Sequence, residues 1–266
     1  MRPFLFASGE IHVGEVAVPL GIPSYGAFAL LGMLLGGVVW ARLGSRAYPE
    51  LPWRHLSLGT LISALIGAKA LHAIVVLPEV VAGRTSPAAA VLGGGVWLGG
   101  VIGGLLYFGL FLRRRGFPTG LVLNPVFAAV PLGHAVGRIG CLLGGCCHGV
   151  RCDWPWAVTY SDQWAARLAG TPLEVPLHPT PVYEAGVELF NFAVCYRLSQ
   201  QALPAWSVPA AWAMLYGVER FLLEFLRGDP RPFWEGLSAA QWMSLALIVV
   251  GGSVLVRRLA LRPSRA

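Results

Sequence analysis

The sequence predicts an all-α, polytopic membrane protein with about seven transmembrane helices and a small outer-face head segment. Composition is the first reason. Of the 266 residues 56% are hydrophobic and only 12% charged, with a mean hydropathy of +0.64, whereas a soluble domain carries about 25% charged residues. The second reason is a series of apolar stretches close to the ~20 residues that cross a hydrocarbon core, at 24–43, 56–77, 88–112, 121–141, 181–197, 205–225 and 239–256. The third is the supply of 34 glycines and 10 tryptophans, since small residues let transmembrane helices approach closely and Trp favours the headgroup region. Residues 1–266 read as one transmembrane domain.

Taken in order, the N-terminal residues carry Glu10, His12 and Glu15 without a basic start followed by an apolar run, so 24–43 is read as a retained span rather than a cleaved signal. The second stretch holds Lys69, the one lysine of the chain. The fifth is the weakest, interrupted by Glu184, Glu188 and Asn191. Between the fourth and fifth, about 148–179 form the head, where Trp154, Trp156 and Trp164 suit an interfacial position. The arginines set the orientation. With the N-terminus outside, Arg42, Arg46, Arg54, Arg113, Arg114, Arg115, Arg197, Arg257, Arg258, Arg262 and Arg265 fall inside, against Arg2, Arg84, Arg151, Arg167, Arg227 and Arg231 outside. The positive-inside rule favours that arrangement, N-terminus out and C-terminus in. The formal charge of +7 is thereby assigned to topology. No basic patch with exposed aromatics points to nucleic acid, and no internal repeat points to the inverted halves of many transporters.

Ionisable residues inside apolar stretches mark the candidate site, because a charge at bilayer depth costs roughly 2.5–3.5 kcal/mol unless it is partnered or used. In the fourth stretch His134, Arg138 and Cys141 lie at i, i+4 and i+7, on one helix face, and Gly133, Gly137 and Gly140 leave room beside it. In the sixth, Tyr216, Arg220, Glu224 and Arg227 share a face, with Glu219 alongside. Two arginines at that depth suit an anionic lipid headgroup, since guanidinium grips phosphate oxygens in pairs and keeps its charge. The other reading is structural, with Glu224 and Glu219 neutralising Arg220 and Arg138, respectively, to hold the bundle. Lys69, with His72 beside it, is a third cation of that kind, or snorkels to the interface. His178, Tyr183 and Glu184 open the fifth stretch from the outer side and are candidate general bases. Thr180 with Glu184 also approximates a helix-capping arrangement.

Cys141, Cys146, Cys147 and Cys152 follow a C-x4-C-C-x4-C spacing that matches none of the common zinc or iron–sulfur patterns. The sequence therefore predicts no metal and no cofactor. A short disulfide on the outer side is open to Cys146, Cys147 and Cys152, and Cys195 reads as a small core residue.

Three long motifs together resemble one family. The run Gly137-Arg138-Ile139-Gly140-Cys141 through Gly145-Cys146-Cys147-His148-Gly149 is similar to the signature of bacterial prolipoprotein diacylglyceryl transferases. His178-Pro179-Thr180-Pro181-Val182-Tyr183-Glu184 resembles that family's His-Pro-Ser/Thr-Gln-Leu-Tyr-Glu, and 216–227 its Tyr-Gly-x-x-Arg-Phe-x-x-Glu-x-x-Arg. Shorter echoes lie at Ser24-Tyr25-Gly26, Gly67-Ala68-Lys69 and Leu98-Gly99-Gly100. The resemblance implies a transferase of lipoprotein biosynthesis in the bacterial inner membrane. It moves the diacylglyceryl unit of phosphatidylglycerol to the lipobox cysteine of a preprolipoprotein signal-peptide segment, forming a thioether and releasing glycerol phosphate. It implies catalytic roles for Arg138, Arg220, His178, Glu184 and Tyr216, and substrate contacts from Tyr25, Lys69, Gly99, Gly100, His134, Gly137, Gly140, Cys141, Gly149, Tyr183, Glu224 and Arg227. This chain departs from the pattern at Leu98, where several members carry histidine, at Cys141 for Asn and at Pro181 for Gln. The base is thus open among His178, His134, His148 and Glu184, or no dedicated base is needed. The alternatives are a diverged member with another acceptor, an anionic-lipid binder or transporter, and a non-catalytic membrane subunit.

Overall fold

The computed structural model describes residues 2–13, 16–84, 87, 95–229, 231 and 233–260. Its helices are α1 (Ser24–Ala47), α2 (Trp53–Val81), α3 (Trp97–Arg115), α4 (Thr119–Gly144), α5 (Gln163–Ala169), α6 (Thr180–Ser199), α7 (Ser207–Leu223) and α8 (Ala239–Ala260). Each expected apolar stretch holds one of the long helices. Among the described residues α1, α2, α4 and α8 are long and apolar enough to cross a membrane. The chain is a helical membrane protein. Of the others, α6 carries Glu184, Glu188 and Arg197, α3 ends in Arg113, Arg114 and Arg115, and α7 has only 17 residues. The expected start of the third stretch at 88, together with Glu15, Arg262 and Arg265, lies outside the described residues.

The all-α expectation needs a correction, because a strand pair precedes α1 and short strands occupy the connections after α4 and before α8. Strands β1 (Phe4–Val13) and β2 (Val16–Pro23) pair with each other. In the head, β3 (Val158–Thr159) runs antiparallel to β4 (Pro176–Leu177). Before α8, β5 (Phe233–Trp234) and β6 (Leu237–Ser238) form a hairpin. Its two loop residues, Glu235 and Gly236, have φ of 49° and 78°, the twist that a two-residue hairpin turn requires. The head also contains α5, which Asp162 caps by accepting from the Trp164 amide at 2.8 Å.

The chain divides into two compact units. One comprises residues 1–7, 21–43 and 120–266. There α1 and α4 meet at glycines: a Cβ on Gly32 would strike the Gly133 carbonyl, and Gly140 lies against Tyr25 and Phe28. Asn124 of α4 accepts from the Val208 amide at 3.2 Å and donates to the Pro204 carbonyl at 3.3 Å, tying α4 to the start of α7. A core of Leu43, Ala128, Cys195, Leu203 and Val208 lies nearby, and fully buried Cys195 has the packing role expected of it.

The second unit comprises residues 8–20 and 44–119. Here α2 and α3 pack backbone to backbone, a Cβ on Gly67 meeting the Gly99 carbonyl and one on Gly99 the Gly67 carbonyl. Tyr107 donates to the His55 carbonyl at 3.3 Å, and Trp53 to that of Tyr48 at 2.7 Å.

Candidate functional site

In the first unit α4, α6 and α7 contribute a buried polar centre. The fourth-helix stripe forms as its spacing predicts: the Nε of Arg138 donates to Nε2 of His134 at 3.0 Å. Since an arginine only donates, His134 Nε2 is the acceptor and Nδ1 carries the proton, given at 2.8 Å to Glu188. The Nη2 of Arg138 pairs with Glu184 at 2.7 Å. Glu184, Glu188 and Asn191 are each no more than 1% exposed. Their i, i+4, i+7 spacing puts all three on the inner face of α6. That spacing was the available signal for Glu188 and Asn191, which the sequence reading treated only as interruptions.

Helix α7 brings the second arginine. Arg220 Nη2 pairs with Glu224 at 2.7 Å, while its Nη1 is buried and has no acceptor among the described residues. Glu224 also accepts from the Ser238 hydroxyl at 2.7 Å. Tyr216 stacks on Trp212 with centroids 5.1 Å apart, and its ring lies 5.6 Å from that of His134. It interacts electrostatically with Arg138, Arg220, Glu184 and Glu188 at once. The predicted pairing of carboxylates is corrected here. Glu184, not Glu219, neutralises Arg138, whereas Glu219 accepts from the Asn191 amide at 2.8 Å.

Arg227 departs from the predicted helical face. Helix α7 ends at Leu223, Glu224–Leu226 form a single 3-10 turn, and Arg227 is extended at φ −72°, ψ 134°. The reason is a backbone seam. The Val150 amide bonds to the Leu226 carbonyl at 2.9 Å, that of Gly228 to the His148 carbonyl at 3.1 Å, and that of Gly149 to the His178 carbonyl at 2.9 Å. Gly149 and Gly228 are in such close contact that a Cβ on Gly228 would overlap the Gly149 carbonyl. Arg227 then grips Asp229 in a bidentate pair, both contacts 2.8 Å, and Arg231 adds a third at 2.8 Å. Burial raises the Asp229 carboxyl, but the Arg227 and Arg231 guanidiniums outweigh it and hold the group below its ordinary 3.8. Burial likewise opposes the Arg227 charge, and the Asp229 contacts more than offset that.

The His178 motif faces two ways. Glu184 turns inward, while Tyr183 accepts from Trp156 Nε1 at 2.7 Å and meets His178 Nδ1 at 3.2 Å on the head side. The expected cap is not formed, since Thr180 donates instead to the Cys147 carbonyl at 2.6 Å. His148 is buried, with Nδ1 donating to the Gly149 carbonyl at 3.1 Å.

The cysteines come together in a way their spacing did not suggest. The sulfurs of Cys141, Cys146 and Cys147 lie within 4.8 Å of one another, all as free thiols. Arg138 Nη1 donates to Cys147 at 3.4 Å and to Cys141 at 3.8 Å. Hydrogen bonds from Cys141 and Cys146, then the Arg227 and Arg138 charges, hold Cys147 below the ordinary thiol range, while hydrogen bonds to the same neighbours and burial push Cys146 up. Tyr25 interacts electrostatically with this group and with Arg138. Gly137 has open space where a side chain would be. Lys69, Gly99 and Gly100 belong to the second unit, where Gly99 and Gly100 pack against α2. The side chain of Leu98 lies outside the described residues.

A sequence model of the prolipoprotein diacylglyceryl transferase family matches residues 14–257. The chain belongs to that family. Among its relatives, a phosphatidylglycerol–prolipoprotein diacylglyceryl transferase of Clostridium tetani is 32% identical over 237 residues, covering 87% of this chain and 91% of the relative. One of Aromatoleum aromaticum is 32% identical over 250 residues, covering 89% and 91%. A Clostridium perfringens protein named phosphatidylglycerol–prolipoprotein diacylglyceryl transferase 2 is 30% identical over 250 residues, covering 92% and 94%. In this family member the matched region includes every residue of the polar centre, the seam and the thiol group.

Proposed function

We propose that the protein transfers the diacylglyceryl group of phosphatidylglycerol to the thiol of a preprolipoprotein's lipobox cysteine, forming a thioether and releasing glycerol phosphate. The observation that carries this reading is the buried Nη1 of Arg220, a charged donor without an acceptor among the described residues, in the same Tyr216 neighbourhood as Arg138. Leaving such a donor buried costs free energy unless a ligand completes it. A phospholipid phosphate has the matching charge and oxygen geometry. Family membership and the relatives' names supply the reaction.

In this reading the lipobox thiolate attacks the glyceryl carbon that bears the phosphate oxygen. The S–C bond forms, the C–O bond breaks, and its electron pair leaves on glycerol phosphate, where Arg138 and Arg220 meet the developing charge. Glu184 and Glu224 hold the two guanidiniums in place, and Tyr216 interacts electrostatically with both. His178 receives the thiol proton. His134 has both ring nitrogens engaged, Glu184 is committed to Arg138, and His148 is buried. His178 is half-buried, and with its proton on Nδ1 toward Tyr183 it offers Nε2 as acceptor.

The chain spans the bacterial inner membrane seven times as one domain, N-terminus out and C-terminus in. Most helix ends support this orientation: α1, α3, α6 and α8 each have arginine in the last turn and α2 and α4 have no basic residue there, while Arg220 in the last turn of α7 is neutralised by Glu224. The head's exposed Trp154 and Trp156 suit the outer headgroup layer. Incubating the purified protein with phosphatidylglycerol and a lipobox peptide tests the reading. Thioether-linked diacylglyceryl peptide, read by mass, is the expected product. Lipid binding without that product identifies an anionic-lipid binder and removes the transferase assignment.

A further inference from the structure

We propose that Cys141, Cys146 and Cys147 form a three-thiolate site for one soft d10 cation, Cu(I). Their sulfurs lie within 4.8 Å of one another. Three sulfurs around one ion at a metal–sulfur distance of about 2.3 Å are about 4 Å apart in a trigonal plane, so small rotamer changes close the site. The chain is already bent to gather them: Cys147 has φ of 62°, a left-handed conformation that costs a non-glycine residue free energy and collects at functional positions. The Arg138 Nη1 donor is aimed at two of the sulfurs, and charge-assisted hydrogen bonds of this kind stabilise thiolate ligands. An independent observation comes from Tyr160. It is 1% exposed, its hydroxyl has no hydrogen-bond partner among the described residues, and it interacts electrostatically with all three cysteines. A hydroxyl so placed serves as an outer-shell donor to a metal-bound sulfur.

The choice of ion follows from the donor set. Among the described residues no histidine, carboxylate or fourth cysteine joins the group, whereas structural zinc takes four ligands. Thiolate-only donors select soft cations, and Cu(I) is content with three. Binding releases the three thiol protons to solvent and changes no oxidation state. The inference does not depend on the transferase reading, and its test reads metal rather than activity.

The full-length, reduced protein in detergent is titrated anaerobically with Cu(I) buffered by a bathocuproine chelator, and the loaded protein is examined by copper X-ray absorption. One ion per chain in an all-sulfur, three-coordinate shell is expected. Cys147→Ser and Cys146→Ser are expected to lose affinity by about tenfold or more, while Cys152→Ser and Cys195→Ser, outside the cluster, retain it. Absorption on the unaltered protein keeps the test decisive if a variant fails to fold. Uptake no tighter than in a Cys141→Ser/Cys146→Ser/Cys147→Ser variant, a shell containing nitrogen or oxygen, or preferential binding of Zn(II) overturns the proposal.

Discussion

Arg138 and Arg220 differ in what holds them, and the difference sets what each substitution does. Arg220 has one buried nitrogen on Glu224 and another with no acceptor among the described residues. Arg220→Lys keeps a charge but loses the planar fork. We expect thioether formation to fall by about 10²-fold, with membrane insertion unchanged, as read by product mass and membrane fractionation. Arg138 is tied to Glu184 and to a His134–Glu188 pair, so its environment is also structural. Glu184→Ala leaves a buried guanidinium without its carboxylate and is expected to destabilise the protein by about 3–5 kcal/mol, seen as a lowered melting temperature in detergent. His178→Gln is expected to slow transfer by about 10²-fold, read by product mass, with membrane insertion unchanged. The sequence made both arginines conspicuous, because a charge in an apolar run stands out. It paired Arg220 with Glu224 correctly, an i, i+4 relation within one helix, but gave Arg138 to Glu219, since nothing in the sequence shows that docking α6 on α4 brings Glu184 to it.

At the scale of elements, faces within one helix were readable and turns between helices were not. His134, Arg138 and Cys141 lie on one face because 3.6 residues per turn leave no other arrangement. Arg227 was placed on the α7 face by the same arithmetic, but the helix ends at Leu223. Gly228 next to the Gly149 carbonyl turns the chain into the seam with residues 148–150. Nothing in a single-helix pattern reports such a long-range pairing. Gly149→Ala would set its Cβ against His178, Leu226 and Thr180. We expect about 1–3 kcal/mol of overpacking cost and earlier cleavage of the head in limited proteolysis. Asp229 gives the same turn a pH dependence. With its carboxyl depressed by Arg227 and Arg231, its contribution is complete above the ordinary 3.8 and is lost as pH falls through the lower folded value. Asp229→Asn is expected to erase that acid-dependent step in the proteolysis profile.

For the molecule as a whole, composition and arginine placement were enough to give the class, because a bilayer admits few backbone solutions. The short strands in the connections were hidden, two residues being too few to show a period. Hidden for another reason was the meeting of three sulfurs at an unfamiliar spacing, which depends on the backbone at Cys147 and not on the interval between cysteines. A reporter fused after α8 is expected in the cytoplasm and one placed in the head outside it; reversed signals would overturn the orientation. The seam has one further consequence. Its bonds join residues near 149, 178 and 227, stretches that leave the ribosome at widely separated moments. The guanidinium centre therefore stays open until the last third of the chain has been inserted. A nascent polypeptide halted before α7 would lodge in the bilayer without the second guanidinium and without the last stretch of the seam.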